Sequence, residues 1–261
     1  KSADVEEVLV EGRQPHGGRL ADGRVFSANM VVCNADPPTV YEEMLPNRSR
    51  FAMPGRPMPD ALTQYSMGLY VLYFGTKQQY PDIAHHTIWL GERYQEHLKD
   101  IFDRKILTED FSLYLHRPTA TDPSFAPKGC DSFYVLCPVP NLQGDIDWSE
   151  EGSKLRDRIV KALSDTIMPN LEDVICSDFW MDPTDFRNQY RSKHGAGFSI
   201  SPLFRQSAWF RYKNRDPHVK NLFFVGAGTH PGAGMPGVLT SAKVLENLLK
   251  REGFSYEEGI A

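Results

Sequence analysis

The stretch NLFFVGAGTHPGAGMPGV, Asn221 to Val238, constrains this chain more than any other. Its opening apolar run suits a buried strand, and Gly226, Gly228, Gly232, Gly234 and Gly237 follow, with Pro231 and Pro236 among them. Beyond it, PGVLTSAKVLENLLKRE has the spacing of an amphipathic helix. Glycine lets a backbone take left-handed angles and approach a ligand closely. A helix opening at Pro236–Gly237 directs unpaired N–H groups and a positive dipole end at whatever lies before it. Strand, glycine loop and helix together make a place for the anionic or carbonyl oxygens of a cofactor. In nucleotide-binding folds such a unit usually comes first; here it falls in the last fifth, and no strand–GxGxxG–helix unit lies upstream.

The rest of the chain must therefore supply a fold that returns to this loop. With 261 residues, 41% hydrophobic and 24% charged, it can bury a substantial core. A formal charge of −5 offers no broad basic surface, which excludes nucleic acid as a partner. Cys33, Cys130, Cys137 and Cys176 form no CxxC pair, so the expectation is a reducing compartment, no disulfide framework and no metal. No apolar run approaches the roughly 18 residues of a membrane span. The sequence opens on Lys1 in strand-like residues and is expected to be cut from something longer.

Residues 1–45 read as strands VEEVLVEG and GRLADGRVFSA, with a turn at Asp22–Gly23, then the apolar strand MVVCNADP and a short helix capped by Asp36. Met30 to Cys33, apolar on both sides, suits a parallel sheet. Residues 46–205 change character. QYSMGLYVLYFGT, HHTIWLG, DFSLYLHRP and SFYVLCPVP read as strands of a largely antiparallel sheet, with a helix near Tyr94 to Phe102. In the first of these both alternating sets are apolar, so both faces are expected to be covered, one of them by an apolar ligand. Leu155, Ile159, Leu163 and Ile167 make a helical stripe capped by Asp147 or Ser149, and Asp182 and Asp185 read as helix caps. Residues 206–261 hold the final strand, loop and helix. The class is a mixed α/β fold.

LFFVGAGTHPGAGMPGVLTSAK resembles the carboxy-terminal signature of bacterial-type phytoene desaturases, within the amine-oxidase-like flavoprotein superfamily. LADGRVFSANMVVCNADPPTVYEEML, YVLYFGTKQQYPDIAHHTIWLGERY, EDFSLYLHRPTATDPSFAPKGCDSFYVLCPVPNL, KLRDRIV and QSAWFRYKNRD resemble further segments of that family, in the same order, over almost the whole chain. The resemblance implies a discontinuous Rossmann-like FAD domain, residues 1–45 and 206–261, around a substrate domain at 46–205. The GxGxxG unit that binds the adenosine and diphosphate in that family is not among these residues.

By that resemblance Gly226 and Ala227 would lie near the ribityl and diphosphate portion of FAD. Met235, Pro236, Gly237 and Val238 would set the helix N-terminus beside the flavin ring, where its partial positive charge favours the reduced, anionic flavin. The implied substrate is phytoene or a related carotenoid polyene, recognised by apolar burial, with Met67, Leu69, Tyr70, Phe111, Leu113 and Tyr134 as lining candidates. Desaturation removes a hydride to the flavin and a proton to a base or water. Of His85, His86, His116, His194 and His230, His230 inside the loop is the catalytic candidate. The resemblance further implies a cytoplasmic enzyme resting on the membrane surface, with Phe51, Met53, Arg50 and Arg56 as rim candidates and a quinone or oxygen as electron acceptor. The competing readings are a non-redox isoprenoid escort protein, a carotenoid isomerase or oxygenase on the same scaffold, and a fragment that is inactive in isolation.

Overall fold

The computed structural model describes residues 3–45 and 62–254; Arg50, Phe51, Met53 and Arg56 lie outside them. In chain order the strands are β1 (Val5–Glu11), β2 (Gln14–Leu20), β3 (Val25–Ser27), β4 (Val31–Cys33), β5 (Gly68–Thr76), β6 (His86–Trp89), β7 (Leu113–His116), β8 (Asp131–Val139), β9 (Ile175–Met181) and β10 (Leu222–Phe224). The helices are α1 (Pro37–Thr39), α2 (Tyr94–Lys99), α3 (Trp148–Thr166), α4 (Leu171–Val174), α5 (Pro183–Tyr190) and α6 (Met235–Arg251). The chain divides into two compact units: Lys1–Ser66 with Arg191–Lys193 and Phe198–Ala261, and Met67–Tyr190 with His194–Gly197.

In the first unit β1, β2 and β3 form an antiparallel sheet in that order. Gly23, at φ 86°, makes the expected turn into β3, closed by the Leu20 N–H to the Arg24 carbonyl at 2.9 Å. β4 pairs with β10 in parallel, Val31 opposite Leu222 and Cys33 opposite Phe224, as the apolar run predicts. Val8, Cys33, Val40, Met44, Leu45, Val219, Leu222 and Phe224 form the core there. Burial pushes the Cys33 thiol up to about 12, so it packs as a small apolar group. Val32 alternates to the other face and stays 45% exposed, so β4 is not covered on both sides among the described residues. The expected Asp36 cap is also corrected. Asp36 makes no side-chain cap bond to α1; its carboxylate accepts instead from the Ser199 hydroxyl and the Lys193 amide.

The second unit is built on a five-stranded antiparallel sheet in the order β6-β7-β8-β5-β9. One face packs on α3: Tyr70, Leu72, Phe74, Leu113, Leu115, Phe133 and Val135 meet Leu155, Ile159 and Leu163 of the helix stripe. Asp147 caps α3, its Oδ1 accepting the Ser149 amide at 3.0 Å. Asp182 and Asp185 cap α5 reciprocally, the Thr184 amide donating to Asp182 at 2.7 Å and the Asp182 amide to Asp185 at 3.1 Å. Gly152 gives α3 its close approach to the sheet, because a Cβ there would lie 2.8 Å from Trp180 Nε1. One buried ion pair ties β8 to the segment after β7. Arg117 donates to both Asp131 oxygens at 2.9 and 3.2 Å, and Asp131 also accepts from the Thr119 hydroxyl and the Tyr80 amide, each at 2.7 Å.

Candidate functional site

The glycine loop of the first unit runs from the end of β10 to α6. Gly226, Gly232 and Gly234 have φ of 101°, 141° and 88°, all left-handed angles that a side chain resists. Gly226 is closely confined: a Cβ would sit 2.4 Å from Asn34 Oδ1. Its N–H donates to Ser241 Oγ at 2.8 Å, and that hydroxyl donates to the Val238 carbonyl at 2.6 Å. The Gly226 amide is thus engaged within the fold, and the residue's contribution to a ligand is its missing side chain. Gly228 is as confined, its Cβ position lying 2.3 Å from Pro37 Cδ.

Arg211 holds the loop from behind. Its guanidinium donates to the Ala227 carbonyl at 2.6 Å, to the Thr229 carbonyl at 3.2 Å, and to the Ile200 and Gln206 carbonyls at 3.4 Å. The residue is only 3% exposed, and burial lowers its pKa against the opposing pull of Asp36. Asp36 is itself held above the usual carboxylate range by burial, with Ser199 and Lys193 acting the other way. Asn214 Nδ2 donates to the carbonyls of Phe224 and His230 at 3.2 and 2.9 Å. His230 therefore enters this network through its backbone, and its residue is exposed.

At the far end of the loop the structure opens. Nothing lies within 4 Å of a Cβ at Gly234, Met235 is 78% exposed, and Pro236 supplies no N–H. The amides of Met235 and Gly237 stand at the first turn of a 17-residue helix, where no intrahelical acceptor exists. Gly237 is confined by contact and not by backbone angle: its φ is not left-handed, and a Cβ would meet the Gly232 carbonyl at 2.5 Å. Val238 is partly buried, with its amide on the Gly234 carbonyl at 2.9 Å. This cradle, with open space at its mouth and fixed carbonyls behind, fits the polar oxygens of a flavin nucleotide.

The second unit carries the lining candidates. Tyr70, Phe111 and Leu113 lie in the packed core, and the Tyr70 hydroxyl donates to the Gly152 carbonyl at 2.8 Å; they form the wall's interior, not its surface. Leu69 is buried and Met67 half-buried. Tyr134 points to the other face, which carries Tyr73, Tyr114, Phe179, His86, His116 and Ile88. Tyr73 stacks on Phe179 at 4.7 Å and meets Tyr134 at 5.9 Å. Burial drives the Tyr134 hydroxyl up to about 12. An open cleft of about 520 Å³ at the Thr76 end of β5 includes Tyr73, Phe125, Pro127, Tyr134 and Phe179 in its lining. His194 lies in a short turn with φ 54°, while His85, His86 and His116 meet at the β6–β7 edge.

A family model described as flavin containing amine oxidoreductase matches residues 3–244. The chain belongs to that family. It is 47% identical over 251 residues to the lycopene-forming phytoene desaturase of Pseudescherichia vulneris, covering 95% of this chain and 50% of that one. It is 44% identical to the neurosporene-forming phytoene desaturase of Rhodobacter capsulatus, covering 95% and 48%. With the zeta-carotene-forming phytoene desaturase of Myxococcus xanthus it shares 39%, covering 95% and 47%. The chain thus spans about half the length of the curated relatives it matches. Among solved structures an oxidoreductase from Methanosarcina mazei superposes with a TM-score of 0.55 at 15% identity, over 93% of this chain and 48% of that one. A putrescine oxidase bound to putrescine superposes at 0.53 and 12%, over 94% and 48%. These two likenesses concern the fold alone.

The structure sets the sequence candidates Gly226, Ala227 and Met235 to Val238 between the end of β10 and the first turn of α6; the sequence did not point to Arg211, Asn34, Ser199 or Ser241 beside them. Arg211 in WFRYKNRD carries no local sign that it will be buried against a loop sixteen residues on. Tyr73 and Phe179 were hidden by the two-sided apolar pattern of β5.

Proposed function

We propose that the chain acts within an FAD-dependent desaturase that introduces double bonds into phytoene, yielding lycopene or an intermediate polyene. The observation that carries this is the 39–47% identity to three phytoene desaturases, each across 95% of the chain. Their products differ, so the substrate class is the common element. Bound FAD would supply the hydride acceptor. On this reading Gly226 and Ala227 admit its ribityl and diphosphate portion, and the Met235 and Gly237 amides stabilise negative charge at the ring. Arg211 keeps the Ala227 and Thr229 carbonyls turned inward, so they do not oppose the cofactor's oxygens. The aromatic face of the β5–β8 sheet offers apolar area to a hydrocarbon that has no polar handle, at about 25 cal/mol per Å² covered. His230, exposed in the loop, is the group available to take or relay the proton.

The substrate would be drawn from the cytoplasmic membrane surface, and a quinone or oxygen would reoxidise the flavin. Among the described residues no helix is long and apolar enough to cross a membrane. Phe204, Trp209 and Phe210, 89%, 77% and 60% exposed beside Arg205 and Lys213, have the aromatic and basic character of an interfacial contact. The test is a chimera in which these residues replace the corresponding half of the Pseudescherichia desaturase, expressed in phytoene-accumulating cells. Coloured polyenes by chromatography are expected. A soluble, flavin-loaded chimera that leaves phytoene untouched overturns the assignment.

A further inference from the structure

The histidines of the β6–β7 edge form a cluster that the redox reading leaves unused. The antiparallel register sets His86 opposite His116, and His85, one residue before β6, folds over the same end. One ring nitrogen from each of the three lies within 4.8 Å of the others. His85 Nε2 and His116 Nε2 are 2.8 Å apart and share one proton between them. The second nitrogen of two rings is anchored by a hydroxyl: His86 Nδ1 meets the Tyr114 hydroxyl at 2.7 Å, and His85 Nδ1 meets Thr121 Oγ1. His116 Nδ1 is buried without a hydrogen-bond partner.

We propose that His85, His86 and His116 bind one divalent late transition-metal ion, of the zinc or copper type, at the edge of this sheet. Neutral imidazole is the ligand such ions prefer, and three of them with an open fourth position is a recognised donor set. A tetrahedral ion with Zn–N bonds of about 2.0–2.1 Å holds its nitrogens roughly 3.4 Å apart. The short His85–His116 pair need open by only a little over half an ångström, and the exposed His86 ring closes inward. The Thr121 and Tyr114 hydroxyls act as the outer partners that fix ring orientation in metal sites, leaving Nε2 of His85 and of His86 for the ion. Four scattered cysteines suggest no metal, but that argument does not reach histidines thirty residues apart that strand pairing joins.

Titrating the untagged chain with zinc chloride against a chromophoric competitor tests the site independently of any flavin or polyene. One stoichiometric zinc is expected, and X-ray absorption of the loaded chain should show three imidazole nitrogens. The variant His86→Gln changes an exposed side chain, preserves the fold, and should weaken binding by more than Tyr114→Phe, for which about 10–100-fold is expected. Absence of a stoichiometric site, fewer than three imidazoles in the absorption spectrum, or unchanged affinity in His86→Gln overturns the proposal.

Discussion

Replacing Arg211 with methionine keeps the apolar stem and removes the guanidinium donors that hold the glycine loop. Four carbonyls lose a partner: Ala227 and Thr229 at 2.6 and 3.2 Å, and Ile200 and Gln206 at the longer 3.4 Å. A buried carbonyl left unpaired costs about 1–3 kcal/mol. The two short bonds dominate, for a gross loss of about 4 kcal/mol, and relief from burying a guanidinium returns part of it. A net destabilisation of about 2–3 kcal/mol is expected, lowering the melting temperature by roughly 4–12 °C for a chain of this size. The loss should concentrate in the loop. Thermal unfolding by circular dichroism measures the whole, and hydrogen exchange at the Gly228 and Thr229 amides measures the part. Arg211→Lys should fall between, since an ammonium reaches fewer of the four carbonyls. A methionine variant that melts with the parent and keeps its exchange protection refutes the reasoning, because the loop would then be held without the guanidinium.

Asp131→Ala should cost about 3–5 kcal/mol in urea unfolding by stranding the buried Arg117, whereas the double variant Arg117→Met with Asp131→Leu should lie closer to the parent. Gly237→Val should displace Gly232 to Gly234, visible as large amide shifts in NMR confined to the loop, with melting changed little; shifts limited to the α6 backbone count against the contact with Gly232. His116, held below the ordinary imidazole range by burial and its histidine neighbours, binds fewer protons folded than unfolded. Stability should therefore rise with pH through the interval between its folded value and the ordinary one, and be fully present above it. An imidazole proton signal titrating at or above the ordinary value contradicts this.

The parts of this molecule that the sequence discloses are those written in neighbouring residues. The strand, loop and helix at Leu222 to Arg251 show as an apolar run, glycines and a 3.6-residue stripe, and the caps at Asp147, Asp182 and Asp185 sit where local chemistry puts them. Asp36 has the same local signature and behaves otherwise, because Ser199 and Lys193, more than 150 residues away, claim its carboxylate. β5 shows a second limit. Its two side-chain sets are equally apolar, so alternation alone does not tell Tyr70, sealed in the core, from Tyr73 on the open face. The buried partners Arg117 and Asp131, and the meeting of His85 and His86 with His116, are products of strand pairing that no window of neighbouring residues contains.

The contact between Gly152 and the Trp180 indole has a consequence for how such sequences can drift. No side chain at 152 can coexist with the indole in its present seat, since its first carbon would fall 2.8 Å from Nε1, and the Gly152 carbonyl is claimed at the same place by the Tyr70 hydroxyl. Positions 70, 152 and 180 therefore exchange residues as a set. A lineage that acquires alanine at 152 is expected to have shrunk residue 180 first, and one that keeps tryptophan at 180 is bound to glycine in the second turn of this 19-residue helix.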